Sequence, residues 1–286
     1  MALADIGWLW ALDFRLSTLG FDFGLGRGFG PWPHQSSKAK AQSPREAEGQ
    51  KRHYYPLMVI LALDTTTPAG SCALAAGGAV VREEACDASL PPAARLPLDL
   101  MTILEHTSMR LGDVDGFAVA TGPGSFTGLR IGIATMQGLA FAAGKPLVGV
   151  SALDALARVG ESEAAGSRVA TWVDAWRGEV YAALYEGGRE IEAPIVTSPL
   201  ELLKRLGDVP TFFIGDGART YERAIHEVMG PLAQIAAVPT PLLAGTIAVV
   251  GAAVAAEDRY LPPHAIRPLY VRRTDAELAR DSRASG

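Results

Sequence analysis

The chain has 286 residues, 49% of them apolar, with a formal net charge of −5. That length and apolar content suffice for one large or two smaller domains without covalent staples. The acidic balance argues against a protein whose main task is gripping nucleic acid, which usually carries a basic face. Only Cys72 and Cys86 are present, which argues against a disulfide scaffold and fits a reduced, cytoplasmic setting.

Residues 1–57 read as foreign to the rest. They hold three of the five tryptophans, a Gly/Phe-rich stretch and then a polar run from Ser36 to Arg52 with the composition of a linker. The apolar run Ile6–Leu12 is short, bounded by Asp5 and Asp13 and preceded by no basic residue, so it reads as neither a signal peptide nor a membrane span. Met58 stands directly before Val59-Ile60-Leu61-Ala62-Leu63. The expectation is a disordered or non-native extension over 1–57, the alternative being an appendage docked through Trp8, Trp10 and Trp32.

The first strand ends at Asp64-Thr65-Thr66-Thr67, and a second runs through Cys72-Ala73-Leu74 to Gly77-Gly78. At such a turn an Asp either holds a metal-bound water beside nucleotide phosphates or accepts the turn's own N–H groups. Pro92 to Met109 places Leu96, Leu100, Ile103, Leu104 and Thr107 on one helical face, with Gly112 as the stop.

The strand Phe117–Ala120 leads into Thr121-Gly122-Pro123-Gly124-Ser125-Phe126-Thr127-Gly128-Leu129-Arg130. Glycines and hydroxyl residues at a strand-to-helix turn leave N–H groups near a positive helix end, suited to a phosphate or to close approach of other backbone. Asp64, Thr65, Thr66, Gly122, Gly124, Ser125 and Thr127 form the candidate phosphate-loop set. The helix from Thr127 to Ala143 contains Gly128, Gly132 and Gly138, each costing about 1 kcal/mol relative to alanine. Close packing offsets such a cost, against this chain's own sheet or against a partner's helices. The candidate partner face is Leu96, Leu100, Ile103, Thr127, Gly128, Arg130, Ile131, Gly132 and Thr135, with Arg130 reaching across.

Leu147–Val150 reads as a short buried strand, and Ser151 caps a helix to about Val159. The chain then repeats itself. Val173-Asp174 to Gly187-Gly188 echoes Leu63-Asp64 to Gly77-Gly78, and Phe212–Gly217 echoes Phe117–Gly122 in the same order. Two lobes of like topology follow: lobe 1 over 58–163 plus about 241–260, lobe 2 over 164–240, and a tail over 261–286. Lobe 2 contributes Val169–Val173, Val180–Tyr185, a helix near Pro199–Leu206 and a strand at Phe212–Ile214, and a small-residue helix, Leu243 to Glu257, follows and is expected to pack back on lobe 1. At the second turn, Asp174 and Arg177 are the candidate residues, but the bulk of Trp176 and Arg177 obstructs phosphate. The five histidines are scattered, so no metal site is expected. Arg267, Arg272 and Arg273 read as a solvated tail.

Four segments carry a family resemblance: Ile60–Thr67, Gly122–Gly132, Gly149–Ala157 and Asp174–Tyr181. They resemble the bacterial TsaB family of tRNA threonylcarbamoyladenosine biosynthesis proteins, formerly grouped with glycoprotease-like proteins, over Met58 to about Leu278. The resemblance implies an α/β, two-lobed actin-like fold of the sugar kinase and heat-shock ATPase type, each lobe a mixed sheet with helices. It also implies a non-catalytic subunit that binds a TsaD-type catalytic partner, with a TsaE-type ATPase in a larger complex and tRNA contacted indirectly. No catalytic residue and no tightly bound cofactor are expected in this chain. An adenine nucleotide at the partner interface and a homodimer of the free chain are compatible with it. Two departures stand out: no His occurs in Leu90–Arg95, where many members carry one, and Trp176 replaces the usual Arg. The competing class is a free-standing ATP-dependent phosphotransferase or peptidase. Ser125 is the only serine it nominates, and no His or Asp is placed by sequence to activate it.

Overall fold

The structure, a computed structural model, describes residues 58–271. The leader with Trp8, Trp10 and Trp32, and Arg272 and Arg273 of the tail, lie outside the described residues. Among the described residues, ten strands form two five-stranded sheets. The first contains β1 (Val59–Asp64), β2 (Ser71–Ala76), β3 (Ala79–Ala85), β4 (Gly116–Gly122) and β5 (Leu147–Ser151), in the order β3-β2-β1-β4-β5. The second contains β6 (Arg168–Asp174), β7 (Val180–Glu186), β8 (Arg189–Thr197), β9 (Thr211–Ile214) and β10 (Ala233–Ile235), in the order β10-β9-β6-β7-β8. Each is built from two antiparallel pairings and two parallel ones. The two sheets are therefore the same arrangement used twice, and the internal echo marks it: Asp64 pairs with Ser71 where Asp174 pairs with Val180.

Helices α1 (Pro92–His106) and α2 (Phe126–Ala143) cover one face of the first sheet. Helices α3 (Ala152–Glu163) and α7 (Ala244–Ala256) cover the other. Every residue of β1 is accordingly buried, as a strand covered on both faces must be. Helix α7 is apolar on all sides because strands lie beneath it and Gly251 brings it close, a Cβ there falling 2.7 Å from Ala118. Its first N–H groups are satisfied from the sheet. Ser71 Oγ accepts from Leu243 and Ala244, and Glu83 accepts from Gly245 at 2.7 Å.

Helices α4 (Pro199–Leu206), α5 (Asp216–Thr220) and α6 (Glu222–Met229) belong to the second lobe. There Trp172 meets Phe213 edge to face at 5.2 Å, in one core with Leu202, Leu206 and Ile225. Helix α3 joins the lobes: Leu153 and Leu156 share one core with Val169, Phe212 and Ile214.

The structure moves several sequence expectations. Leu96, Leu100 and Ile103, expected on the partner face, point inward and are buried with Leu63, Phe117 and Met136. A single apolar stripe on a helix can serve only one surface, and this one serves its own sheet. Helix α1 ends at His106 rather than Met109, where the Thr107 hydroxyl donates back to Ile103 O at 2.8 Å. Helix α3 runs four residues past Val159. Strands β3, β8 and β10 and helices α5 and α6 have no clear sequence signal: β3 is an exposed edge strand, β8 carries Pro194, and β10 has three residues.

Candidate functional site

The β4–α2 loop meets the root of the β1–β2 turn, and the segment after α7 lies against the end of β4 and α2. The turn is organised by Asp64, which is buried and accepts from Thr66 N at 2.8 Å and Thr66 Oγ1 at 2.7 Å. Burial raises its carboxyl above the ordinary value, while the two Thr66 bonds oppose that rise. Arg95 braces the turn from beneath through Nη2, which donates to Pro68 O at 2.9 Å. Its side chain is also buried and lies 4.0 Å from Asp99. A cavity of about 340 Å³ opens beside it, lined in part by Cys72, Leu98 and Thr102.

The β4–α2 loop presses directly on this turn. Ser125 N donates to Thr66 O at 2.7 Å, and Ser125 Oγ caps α2 by accepting from Gly128 N at 3.2 Å. A Cβ on Gly124 would fall 2.5 Å from Thr66 O, one on Gly128 2.3 Å from Thr65 O, and one on Gly132 2.2 Å from Thr65 Oγ1. These glycines are small because the chain's own turn occupies the space beside them. Gly138, the third glycine of α2, is different: a Cβ there would meet no atom within 4 Å, and the residue faces solvent.

The loop set therefore comes together, with Asp64, Thr65, Thr66, Gly122, Gly124, Ser125 and Thr127 around one junction. The N–H of Ser125 and that of Gly128 are engaged within the chain. Of the residues expected on the partner face, Gly128 and Gly132 are buried, Ile131 and Thr135 are half-buried, and Thr127 and Arg130 are exposed. Arg130 is held within the chain: its guanidinium stacks 3.9 Å from the Phe126 ring and its Nε donates to Tyr270 Oη at 3.0 Å. The stretch from 263 to 271, expected as solvated tail, lies along α2. Gln137 Nε2 donates to the carbonyls of Pro263 and Ile266, Leu269 N donates to Thr121 O, and Ile266 is buried in the first lobe's core.

The second lobe builds its turn differently. Asp174 Oδ1 accepts from Trp176 N, while Asp174 N donates to Asp216 Oδ1 at 2.9 Å. Burial raises the Asp216 carboxyl above its ordinary value. Trp176 and Arg177 both sit at positive φ, 60° and 58°, and Trp176 is 72% exposed. Sequence reasoning missed Asp216, although it lies inside the Phe212–Gly217 echo. It also missed Tyr270 and Gln137, for which nothing local gives a signal. Among the described residues no group of three or more His, Cys, Asp or Glu is placed to hold a metal, and no helix is long and apolar enough to cross a membrane.

Two sheets of identical order, joined by a shared helical core, define a two-lobed α/β protein, each lobe a mixed sheet with helices. A family model described as TsaD, tRNA N6-adenosine threonylcarbamoyltransferase, matches residues 93–280. The tRNA threonylcarbamoyladenosine biosynthesis protein TsaB of Haemophilus influenzae is 32% identical over 178 residues, 58% of this chain and 75% of that one. The TsaB of Escherichia coli is 42% identical over 130 residues, 45% of this chain and 55% of that one, so the match spans about half of its length. A Pseudomonas aeruginosa crystal structure, titled as an uncharacterized protein with similarity to peptidase YeaZ, superposes with a TM-score of 0.63 at 31% identity, covering 75% of this chain and all of that one. The chain belongs to the TsaB family.

Proposed function

We propose that this chain is a non-catalytic subunit in tRNA N6-threonylcarbamoyladenosine synthesis and that it docks a TsaD-type catalytic partner. The observation that carries the reading is the use made of the glycine loop: Gly124, Gly128 and Gly132 are packed against Thr65 and Thr66, where a nucleotide-hydrolysing relative would need room for phosphate. The free-standing phosphotransferase is disfavoured by the same packing. What the loop does instead is set the pitch and position of α2.

The outward stripe of α2 consists of Thr127, Arg130, Ala134, Gly138 and Phe141, all exposed, with Phe141 84% exposed. Spacings of three and four residues put them on one face. Small residues flanked by an aromatic and an arginine suit close approach of another helix. This stripe, with Ile131 and Thr135 beside it, is the partner face. It replaces the inward residues Leu96, Leu100 and Ile103. A TsaE-type ATPase joining the pair, indirect contact with tRNA, an adenine nucleotide lodged at the interface, self-pairing of the free chain and a cytoplasmic setting all fit the same reading.

The test is reconstitution of threonylcarbamoyl transfer to tRNA from the other purified subunits, with and without this chain, and co-purification with the TsaD-type subunit. Transfer is expected only with the chain present. Ala134→Arg and Gly138→Arg are expected to abolish co-purification while leaving the melting temperature near wild type. Retained binding in both variants rules out this face.

A further inference from the structure

The cavity of about 340 Å³ beside Arg95 lies between α1 and the β2–β3 hairpin, where Cys72, Arg95, Asp99 and Thr102 line it. It stands at the small end of the range of roughly 300–1,000 Å³ for small-molecule pockets. Leu90 and Leu98 line it as well, each 42% exposed, so its outer wall is apolar. None of the lining residues belongs to α2.

The inner wall carries charge that the chain leaves unused. Arg95 is 1% exposed and gives Nη2 to Pro68 O, but its Nε and Nη1 are buried with no hydrogen-bond partner among the described residues. Asp99 Oδ2 is buried in the same condition. The two groups stand 4.0 Å apart, Nε to Oδ2, close enough to attract and too far to hydrogen-bond. Each is anchored separately, Arg95 on Pro68 O and Asp99 through its backbone carbonyl, which accepts from Cys72 Sγ at 3.6 Å. Buried charged groups without hydrogen bonds are costly, and a folded chain keeps few of them. The other carboxylates of the wall are already engaged. Glu84 accepts from Arg82 and His106, and Asp87 Oδ1 accepts from Ser89 N and Oγ at 2.9 and 2.6 Å. What is left over is a guanidinium and a carboxylate oxygen side by side. A lone anion there would face Asp99 and a lone cation would face Arg95, so neither complements the pair.

We infer that this cavity binds a free α-amino acid, with the ligand carboxylate on Arg95, its ammonium on Asp99 Oδ2 and its side chain against Leu90 and Leu98. An α-amino acid carries its two charges on one carbon, as close together as Arg95 and Asp99 hold theirs, and charge-assisted hydrogen bonds to both are the strong kind. The ligand reaches the pair by a small rotation of the Asp99 side chain, which is restrained only by a 3.5 Å contact from Asp87 N to Oδ1. The site needs no partner chain, and the inference is independent of the docking reading above.

The experiment is titration calorimetry on the full-length chain with glycine, L-alanine and L-valine. Each is run beside the same molecule without its ammonium (acetate, propionate, isovalerate) and without its carboxylate (methylamine, ethylamine, isobutylamine). Saturable one-to-one binding of an amino acid is expected, with both of its truncated analogues at least tenfold weaker. Asp99→Asn, which keeps the shape and removes the charge, is expected to weaken binding at least tenfold. Thr102→Leu, which fills the cavity and leaves the charged pair intact, is expected to do the same and serves if Asp99→Asn is poorly folded. No saturable binding by any of the three amino acids overturns the site and leaves a cavity that holds water only. Truncated analogues that bind as well as their parent overturn the charge pairing, and unchanged affinity in both variants overturns the location.

Discussion

The two hairpin roots, Asp64–Ser71 and Asp174–Val180, occupy the same place in two sheets of the same order, and in both the strand's own Asp caps the turn, yet only lobe 2 adds a second carboxylate from a facing loop. In lobe 1 the buried Asp64 accepts from Thr66, as Asp174 accepts from Trp176 in lobe 2. In lobe 2 the half-buried Asp216 also reaches across to Asp174 N. The glycine loop in lobe 1 presses on the turn, whereas in lobe 2 Gly215 and Gly217 press on the strand itself at Trp172. The lobe 2 turn is left free to project Trp176 into solvent. A duplicated topology thus fixes where a turn stands but leaves open which neighbour satisfies its polar groups, and so which surface each lobe presents.

The largest expected effect comes from intruding on the lobe 1 junction. Gly128→Ala places a methyl 2.3 Å from the Thr65 carbonyl, and backbone cannot yield as a side-chain tip does. Overpacking of this kind costs roughly 1–3 kcal/mol. At roughly 2–4 °C per kcal/mol for a chain of this size, thermal melting is expected to show a clear drop. A melting temperature equal to wild type breaks the claim that the loop is packed on its own turn.

The carboxylates sharpen the comparison through pH. Burial raises the Asp64 carboxyl, so the folded chain keeps a proton there over a range in which the unfolded chain has lost it. Stability contributed by the protonated group is present below the unfolded value and is lost as pH rises through the folded one. Asp216 has the same sign. Asp64→Asn, which keeps an acceptor for Thr66 without a charge, is expected to flatten part of the fall in stability with rising pH. Asp216→Asn is expected to flatten another part. Denaturant midpoints across acid to neutral pH provide the check, and a slope unchanged by Asp64→Asn rejects the burial account.

Smaller effects come from the exposed positions. Trp176 holds a left-handed conformation that costs a non-glycine residue about 1 kcal/mol. Trp176→Gly is therefore expected to stabilise the isolated chain slightly, read as a small rise in melting temperature. Gly138→Ala, in open space on α2, is expected to stabilise by a little under about 1 kcal/mol. It is the opposite in sign to Gly128→Ala within one helix. Equal signs would mean that the two glycines share a role.

Much of this architecture is legible in the residues. The echo of Asp64 and Asp174 predicts the duplication, and the strands at its heart follow, because β1, β4, β6 and β9 are largely apolar runs. The helix expected near Pro199–Leu206 is found there, with Ser198 capping its start and Gly207 following its end. The edge strands escape because one exposed face and short length erase the alternation a strand would show. The inward side of α1 reads as a partner face because an apolar stripe looks the same whether it meets its own sheet or another protein.

The sequence by itself determined the two lobes, the TsaB family motifs and the turn character of Asp64–Thr67 and of Gly122–Ser125, because hydrophobic periodicity and turn chemistry are local. Only the tertiary structure decided what fills that turn and which residues face outward. Thr65 meets Gly132, and Tyr270 meets Arg130, across 67 and 140 positions of chain. Contacts at that separation depend on how sheets and helices stack, which no local pattern records.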